Sequence, residues 1–423
     1  ATGERKTLVE LRSLAHDADR ATREKAFAKE LEVCASIGIP VASALNGIKG
    51  WNVTLNERRG WEGSSLDAAL EKSAKQGLLS RKSLAALITA IEESLPDWRR
   101  YLKAKARLLG LERCAFFDLF APVGETGRKR TYEEAKKTVI ENFSRFSPDM
   151  GDFARKAFAG GWIDAEPRSG KIGGAYFTNM PMAKEGRVLC NFDGNFSSTL
   201  TLAHELGHAY HAEVLKDEPP LLQSHPMTLA ETASIFAETV VFEDEVARAD
   251  EAEKLGLLEL HLQDGCQILV DILSRFKFES DVFAARKKGE LTVSDFCALM
   301  TDAQKATYGD GLDPEKLHPF MWLVKTHYYS DDLAFYNFPY AFGQLFALAL
   351  YGRYRTEGSS FADSYRRILF DTGSMDAVAV TARAGFDIET PDFWRSGIKN
   401  FIGQIDEFER LVGRANGAHG TTL

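Results

Sequence analysis

Thr199-Leu200-Thr201-Leu202-Ala203-His204-Glu205-Leu206-Gly207-His208-Ala209-Tyr210-His211 is the stretch from which the rest of the chain can be read. It has no helix breaker apart from Gly207, and Ser197 or Ser198 stands where an N-cap is expected. At about 3.6 residues per turn, His204 and His208 stack on one helix face, so both imidazoles can reach a single zinc ion. Glu205 lies about 100° round the helix from His204, beside that ion and within reach of its water. Gly207 costs about 1 kcal/mol in a helix interior, which points to close packing or close approach of a ligand at that position. With only 9 His in 423 residues, this spacing is hard to obtain by chance.

A catalytic zinc ordinarily keeps three protein ligands and one water. One solution would place Gly at position 211 and His at 214, but the chain has His211 and Val214. A Glu from a following helix is the other common solution. Glu231, in Ala230-Glu231-Thr232-Ala233-Ser234 beyond Pro219-Pro220, is the best placed candidate. A competing role is that Thr228-Leu229-Ala230-Glu231 forms a capping box and Glu231 only caps its helix. Glu238, seven residues on and on the same face, could be a ligand or could hydrogen-bond a ligating histidine. His211 and His225 are expected at the surface or behind the ligands.

Working outward, the region upstream of this helix is rich in glycine between Gly160 and Asn195. Ala175-Tyr176-Phe177-Thr178 and Arg187-Val188-Leu189-Cys190-Asn191-Phe192 read as strands there. Elsewhere the period is helical, with helices expected over Ala21 to Ser36, Ser65 to Gln76 and Lys82 to Glu93. Pro96 is expected to separate the last of these from a helix over Asp97 to Leu109. Thr131-Tyr132-Glu133-Glu134 has capping-box spacing and opens a helix toward Phe143. The predicted fold class is mainly α, a large multi-helix region with a small β-sheet beside the zinc helix and a deep substrate cleft. It divides into an N-terminal helical lobe over residues 1–125, a zinc-binding core over 126–412 and a frayed tail over 413–423.

Composition narrows the function. A hydrophobic share of 44% over 423 residues suffices for a large core. The net charge of -9, with no Lys/Arg cluster that stands out, argues against a phosphate-neutralising nucleic-acid binder. The five cysteines are scattered without a Cys-x-x-Cys pair, so neither a disulfide framework nor a thiolate metal site is expected. The polar start does not read as a secretory signal, and the apolar run from Ala341 to Tyr351 is too short to span a bilayer. A cytoplasmic protein without membrane partners is the expectation.

The run from Thr201 to Ala209, followed by Leu229-Ala230-Glu231-Thr232-Ala233-Ser234-Ile235-Phe236-Ala237-Glu238, closely resembles the oligoendopeptidase F branch of the thimet oligopeptidase family of zinc peptidases. Gly173-Gly174-Ala175-Tyr176 is similar to that family's substrate-flanking strand. His327 and the run from Phe335 to Gly343 are similar to its His followed by a tyrosine-rich helix start. The stretch from Gly385-Phe386-Asp387 to Phe393-Trp394 also fits, so the resemblance covers the chain from about Leu8 to Val412. Two departures stand out. Relatives generally carry a further helical region before the counterpart of Leu8, which leaves a fragment, a clipped product or a compact variant open, and Phe338 stands where some have Tyr.

The resemblance implies a zinc-dependent oligoendopeptidase with one Zn2+ per chain, acting on internal bonds of short unstructured peptides. It implies Glu205 as general base, His204, His208 and Glu231 as ligands, and His327 and Tyr340, with Tyr336 as a helper, as donors to the developing oxyanion. On the residues alone, His327, Tyr336 and Tyr340 read as an aromatic core. The rival functions are a zinc carboxypeptidase or dipeptidyl carboxypeptidase on a similar scaffold, and a non-catalytic helical peptide-binding protein.

Overall fold

The computed structural model describes residues 6–124 and 129–419, so the expected lobe boundary at 125/126 lies outside the described residues. After the short α1 (Leu8–Ser13), Asp19 caps a long α2 (Arg20–Arg58) by accepting from the Ala21 and Thr22 amides. This helix runs well past Ser36 and through Pro40. The proline lies on the exposed side, while Cys34, Gly38, Ala42 and Leu45 bury the other face. A capping box between Ser64 and Asp67 starts α3 (Ser65–Gln76) where the sequence indicates.

The expected break at Pro96 is absent, because α4 (Arg81–Leu108) is continuous across it. A proline inside a helix forfeits one hydrogen bond and costs about 3 kcal/mol. Leu87, Ile91, Leu95, Trp98 and Leu102 continue the same buried stripe on both sides of it. Each large side chain so buried contributes roughly 1.5–3 kcal/mol, enough together to outweigh that loss.

The Thr131 capping box forms and opens α5 (Tyr132–Phe146), followed by α6 (Pro148–Ala159). The sheet then has order β1-β3-β2, with β1 (Ile163–Asp164) parallel to β3 (Glu185–Leu189) and β2 (Tyr176–Met180) antiparallel to it. Strands β2 and β3 correspond to the two expected runs, with bounds shifted by one to three residues. The two-residue β1 is too short to leave an alternating pattern in sequence.

Helix α7 (Phe196–Leu215) carries the opening motif. Its N-cap is Asn195 rather than Ser197 or Ser198. Asn195 directs its side chain to Asp193, and the Ser198 hydroxyl donates to the Asn195 carbonyl, so the helix starts earlier than expected. Next come α8 (Met227–Ala230), α9 (Thr232–Arg248) and α10 (Glu251–Cys266). A π-helical segment, Gln267–Asp271, leads into α11 (Ile272–Arg286). After α12 (Val293–Tyr308) and α13 (Met321–Val324), α14 (Phe338–Glu357) returns to the centre. It is followed by α15 (Ala362–Asp371) and α16 (Ala377–Arg383). The last helix, α17 (Pro391–His419), lies along α4 and continues through Gly413, where a frayed tail is expected; Leu411 and Val412 are still buried.

The main core gathers Trp98, Phe342 and Trp394 with the inner faces of α7, α9 and α14. A smaller cluster around Phe278, Phe296 and Trp322 joins α2 to α11 and α12. All five cysteines are free. Among the described residues α2 is the one helix whose length and composition would allow a membrane span. Its buried side holds Asn46, Lys49, Asn52 and Asn56, and Lys49 pairs with Glu279 at 2.6 Å, which suits a packed helix of this fold.

Candidate metal centre

Helices α7 and α9 cross so closely at Gly207 that a Cβ there would lie 2.6 Å from both the Ala233 carbonyl oxygen and the Ser234 Cα. This contact brings the start of α9 against the His204/His208 face. Glu231 sits at the junction of α8 and α9 and makes no capping bond. The capping box suggested by Thr228 does not form, because α8 starts at Met227 and puts Thr228 inside the helix, where its hydroxyl donates to the Gly77 carbonyl at 2.7 Å. Glu231 instead turns to the histidines. Its Oε2 is 3.3 Å from His204 Nε2 and 3.4 Å from His208 Nε2, and it accepts from the Ser234 hydroxyl at 2.8 Å. Gly343 on α14 makes room on the other side, since a Cβ there would approach the Glu231 Cβ to 2.7 Å.

One donor atom from each of His204, His208 and Glu231 falls within 4.8 Å of the others. Two imidazoles and a carboxylate drawn into that space form a donor set suited to zinc. Glu238 stands behind: its Oε2 is 3.2 Å from His204 Nδ1, so it can orient the imidazole by the nitrogen that faces away from Glu231. Burial would lower the pKa of His204, but its bonds to Glu231 and Glu238 outweigh this and raise it to about 10. Burial likewise opposes ionisation of Glu231, yet the two histidines hold its carboxyl well below the usual range. These are mutually compensating charges gathered on the atoms that a cation would take.

Glu205 is buried, and burial outweighs the neighbouring histidines to raise its pKa. The Phe177 backbone N–H of β2 lies near this carboxyl and slightly offsets the rise. In the sheet order β2 has only β3 as a partner, so this amide points away from β3 and the outer edge of β2 faces the base.

Of the three expected oxyanion donors, Tyr340 borders the same cavity as His204 and Glu231. Burial first, and then its hydrogen bond with Tyr336, raises the Tyr340 pKa and keeps the phenol protonated. Tyr336 stacks on His327 at a centroid distance of 4.4 Å and 12° between planes, and lies 6.0 Å from the Tyr340 ring. Burial, then Arg275 and Lys325, lower the pKa of His327, favouring the neutral ring. The three residues are therefore contiguous, with Tyr340 nearest the ligand atoms.

His211 is not at the surface. It is buried, stacks on His225 at 4.2 Å, and its Nε2 is 2.7 Å from the Thr372 hydroxyl. Ser234, His261, Asp264 and the Phe177 amide are site features that sequence reasoning missed. Ser234 was legible as the residue one turn after Glu231. The others depend on contacts between distant elements and leave no spacing signal.

A mainly helical fold, a three-stranded sheet beside the motif helix and a two-His, one-Glu cluster suit a metallopeptidase. Residues 13–400 match the model of Peptidase family M3, and the chain belongs to that family. It is 28% identical over 352 residues to the chromosomal oligoendopeptidase F of Lactococcus lactis subsp. cremoris, covering 82% of this chain and 57% of that protein. It is also 28% identical over 351 residues to oligopeptidase PepF of Bacillus subtilis, covering 81% of this chain and 52% of that protein. The chain spans just over half the length of these curated relatives. The crystal structure of oligoendopeptidase-F from Enterococcus faecium shares the fold with a TM-score of 0.76 at 21% identity, over 98% of this chain and 68% of that one.

Proposed function

We propose that this chain is a zinc-dependent oligoendopeptidase that hydrolyses internal bonds of short, unstructured peptides. The observation that carries the reading is the convergence of His204, His208 and Glu231 with Glu205 alongside. Those three residues would hold one Zn2+, which when bound supplies Lewis-acid polarisation and lowers the pKa of a water. Glu205 takes the proton of the attacking water and passes it to the leaving amine, a role helped by its raised pKa. Tyr340, with His327 and Tyr336 beside it, donates to the oxygen that becomes negative in the transition state. The open edge of β2 pairs with an extended substrate backbone and lays the cleaved bond next to Glu205.

The cavity at the cluster is lined by Glu231, Glu238 and Asp264 and by no Lys or Arg. Likeness to a protein named oligoendopeptidase F supports cleavage at internal bonds over a carboxypeptidase. All the proposed site residues lie between His204 and Tyr340, consistent with a catalytic core over residues 126–412. The test is hydrolysis of a quenched fluorescent peptide library by the zinc-loaded chain, with cleavage sites mapped by mass spectrometry. Internal cuts in amidated peptides, lost in Glu205→Gln while zinc content is kept, are expected. Peptide binding without turnover by the zinc-loaded wild-type chain would favour the non-catalytic reading and sink this one.

A further inference from the structure

Beside the metal ligands lies a cavity of about 320 Å³ whose far wall is made by α10 and the π-helical segment after it. Its size is at the lower end of ordinary ligand pockets, from about 300 Å³ upward. Asp264 faces the open volume of this cavity and makes no ion pair among the described residues. Glu238, Gln267 and Gln344 supply further oxygen acceptors, and Ile268 gives the wall an apolar stretch. His261 borders the same space, held between the Phe242 ring at 4.2 Å and the Phe401 ring at 5.3 Å, and its Nε2 is buried without a hydrogen-bond partner.

The charges are unbalanced in one direction. A dication at His204, His208 and Glu231 would offset Glu231 and Glu238, leaving Asp264 without a counter-charge. Asp264 lies near the carboxylates of Glu238 and Glu259 and near Lys105, whose ammonium is taken by Glu259 at 2.6 Å, so a further cation would favour its ionised form. Burial takes His261 down to about 4, which keeps the imidazole neutral and able to accept at one nitrogen. Carboxylate, neutral imidazole and two amide oxygens all accept hydrogen bonds. A π-helical insertion at the wall fits the tendency of such segments to occur at functional sites.

The geometry points to this cavity as a specificity subsite for a cationic side chain, the ammonium of Lys or the guanidinium of Arg, carried by a peptide residue flanking the cleaved bond. Asp264 is its counter-charge and the Gln267 and Gln344 amide oxygens are further acceptors, while Ile268 packs against the aliphatic stem. The inference rests on the peptidase reading above, and its test separates the two.

N-acetylated, C-amidated quenched peptides, identical except for Lys, Arg, norleucine or Glu at each position flanking the cut, are compared on the zinc-loaded full chain. Acetylation removes the terminal ammonium as an alternative source of the cation. At one position the kcat/KM ratio of Lys to norleucine is expected to be about tenfold, the scale of one charge pair in a partly desolvated site. In Asp264→Asn that ratio collapses toward one, and Asp264→Glu restores part of it; a ratio is used because a general loss of activity cancels from it. Equal rates for Lys and norleucine at every position, or a ratio kept in Asp264→Asn, would overturn the subsite and leave the peptidase reading standing. If no peptide is hydrolysed, the peptidase reading fails. The subsite is then judged on zinc-loaded Glu205→Gln by fluorescence anisotropy, where tighter binding of the Lys peptide supports it and equal binding rejects it.

Discussion

His204 and His208 owe their alignment to one turn of a single helix, whereas His327, Tyr336 and Tyr340 come together through a 3-10 turn, an irregular loop and the start of α14. The metal side is set by local geometry and by glycines at the helix contacts. The aromatic side is held from a distance. Phe335, just before Tyr336, has a left-handed backbone (φ 54°), which costs a residue other than glycine roughly 1–2 kcal/mol. Its N–H donates to Glu279 Oε2 at 3.1 Å, and Glu279 in turn is paired with Lys49 of α2, both fully buried. Arg275, ion-paired to Asp271, donates to Asn337 Oδ1 at 3.3 Å from the same side. The two halves meet on α14, which packs on Glu231 through Gly343 and brings Tyr340 to the same cavity.

The largest expected effect is on the metal side. Glu231→Gln should abolish peptidase activity, a fall of at least about 100-fold, with loss of stoichiometric zinc in metal analysis after dialysis. Full zinc retention in this variant would remove Glu231 from the ligand set. Next in size, and confined to the aromatic side, Lys49→Met should destabilise the fold by about 3–5 kcal/mol, because it leaves the Glu279 charge buried and unpaired. Zinc content should be kept in the folded fraction while kcat falls. Adding Glu279→Gln should recover part of the stability seen in denaturant titration, and a double variant no more stable than the single would break the proposed linkage.

Legibility followed the same division. The helix bearing His204 and His208 could be read from spacing because the chemistry repeats with the helical period. Glu231 could be named but its competing role could not be dismissed, since only the Thr228 to Gly77 bond shows what Thr228 does. Pro96 misled because the sequence displays the lost hydrogen bond and hides the stripe from Leu87 to Leu102 that outweighs it. The His327 cluster came from resemblance, since its supports, Lys49, Glu279 and Arg275, are scattered over α2 and α11. Asp264 looks like any polar residue of an amphipathic helix until the cavity is seen.

Two smaller changes sharpen the contrast. Gly207→Ala forces a methyl into the α7/α9 contact and should cost about 1–3 kcal/mol in unfolding experiments, with weaker zinc binding as Glu231 moves away. The same stability loss with unchanged zinc affinity would show that the crossing does not place the ligand. Glu238→Gln removes only the charge behind His204 and should weaken zinc affinity by about 10–100-fold in competition with a chelator, with little change in melting temperature.

The parallel clasp of α17 on α4 also bears on how the molecule is made. Trp98 meets Phe401, Tyr101 meets Phe408, and Arg100 reaches Asp406 and Glu409, all separated by some three hundred positions along the polypeptide. Gly397 of α17 in turn presses on the Leu345 carbonyl, next to the part of α14 that walls Glu231. Contacts of such long sequence separation form late, after a large loop-closure entropy has been met. During ribosomal synthesis α4 therefore emerges well before the helix that covers it. The nascent chain must carry its apolar α4 face uncovered until α17 arrives, an interval in which a chaperone has a surface to hold.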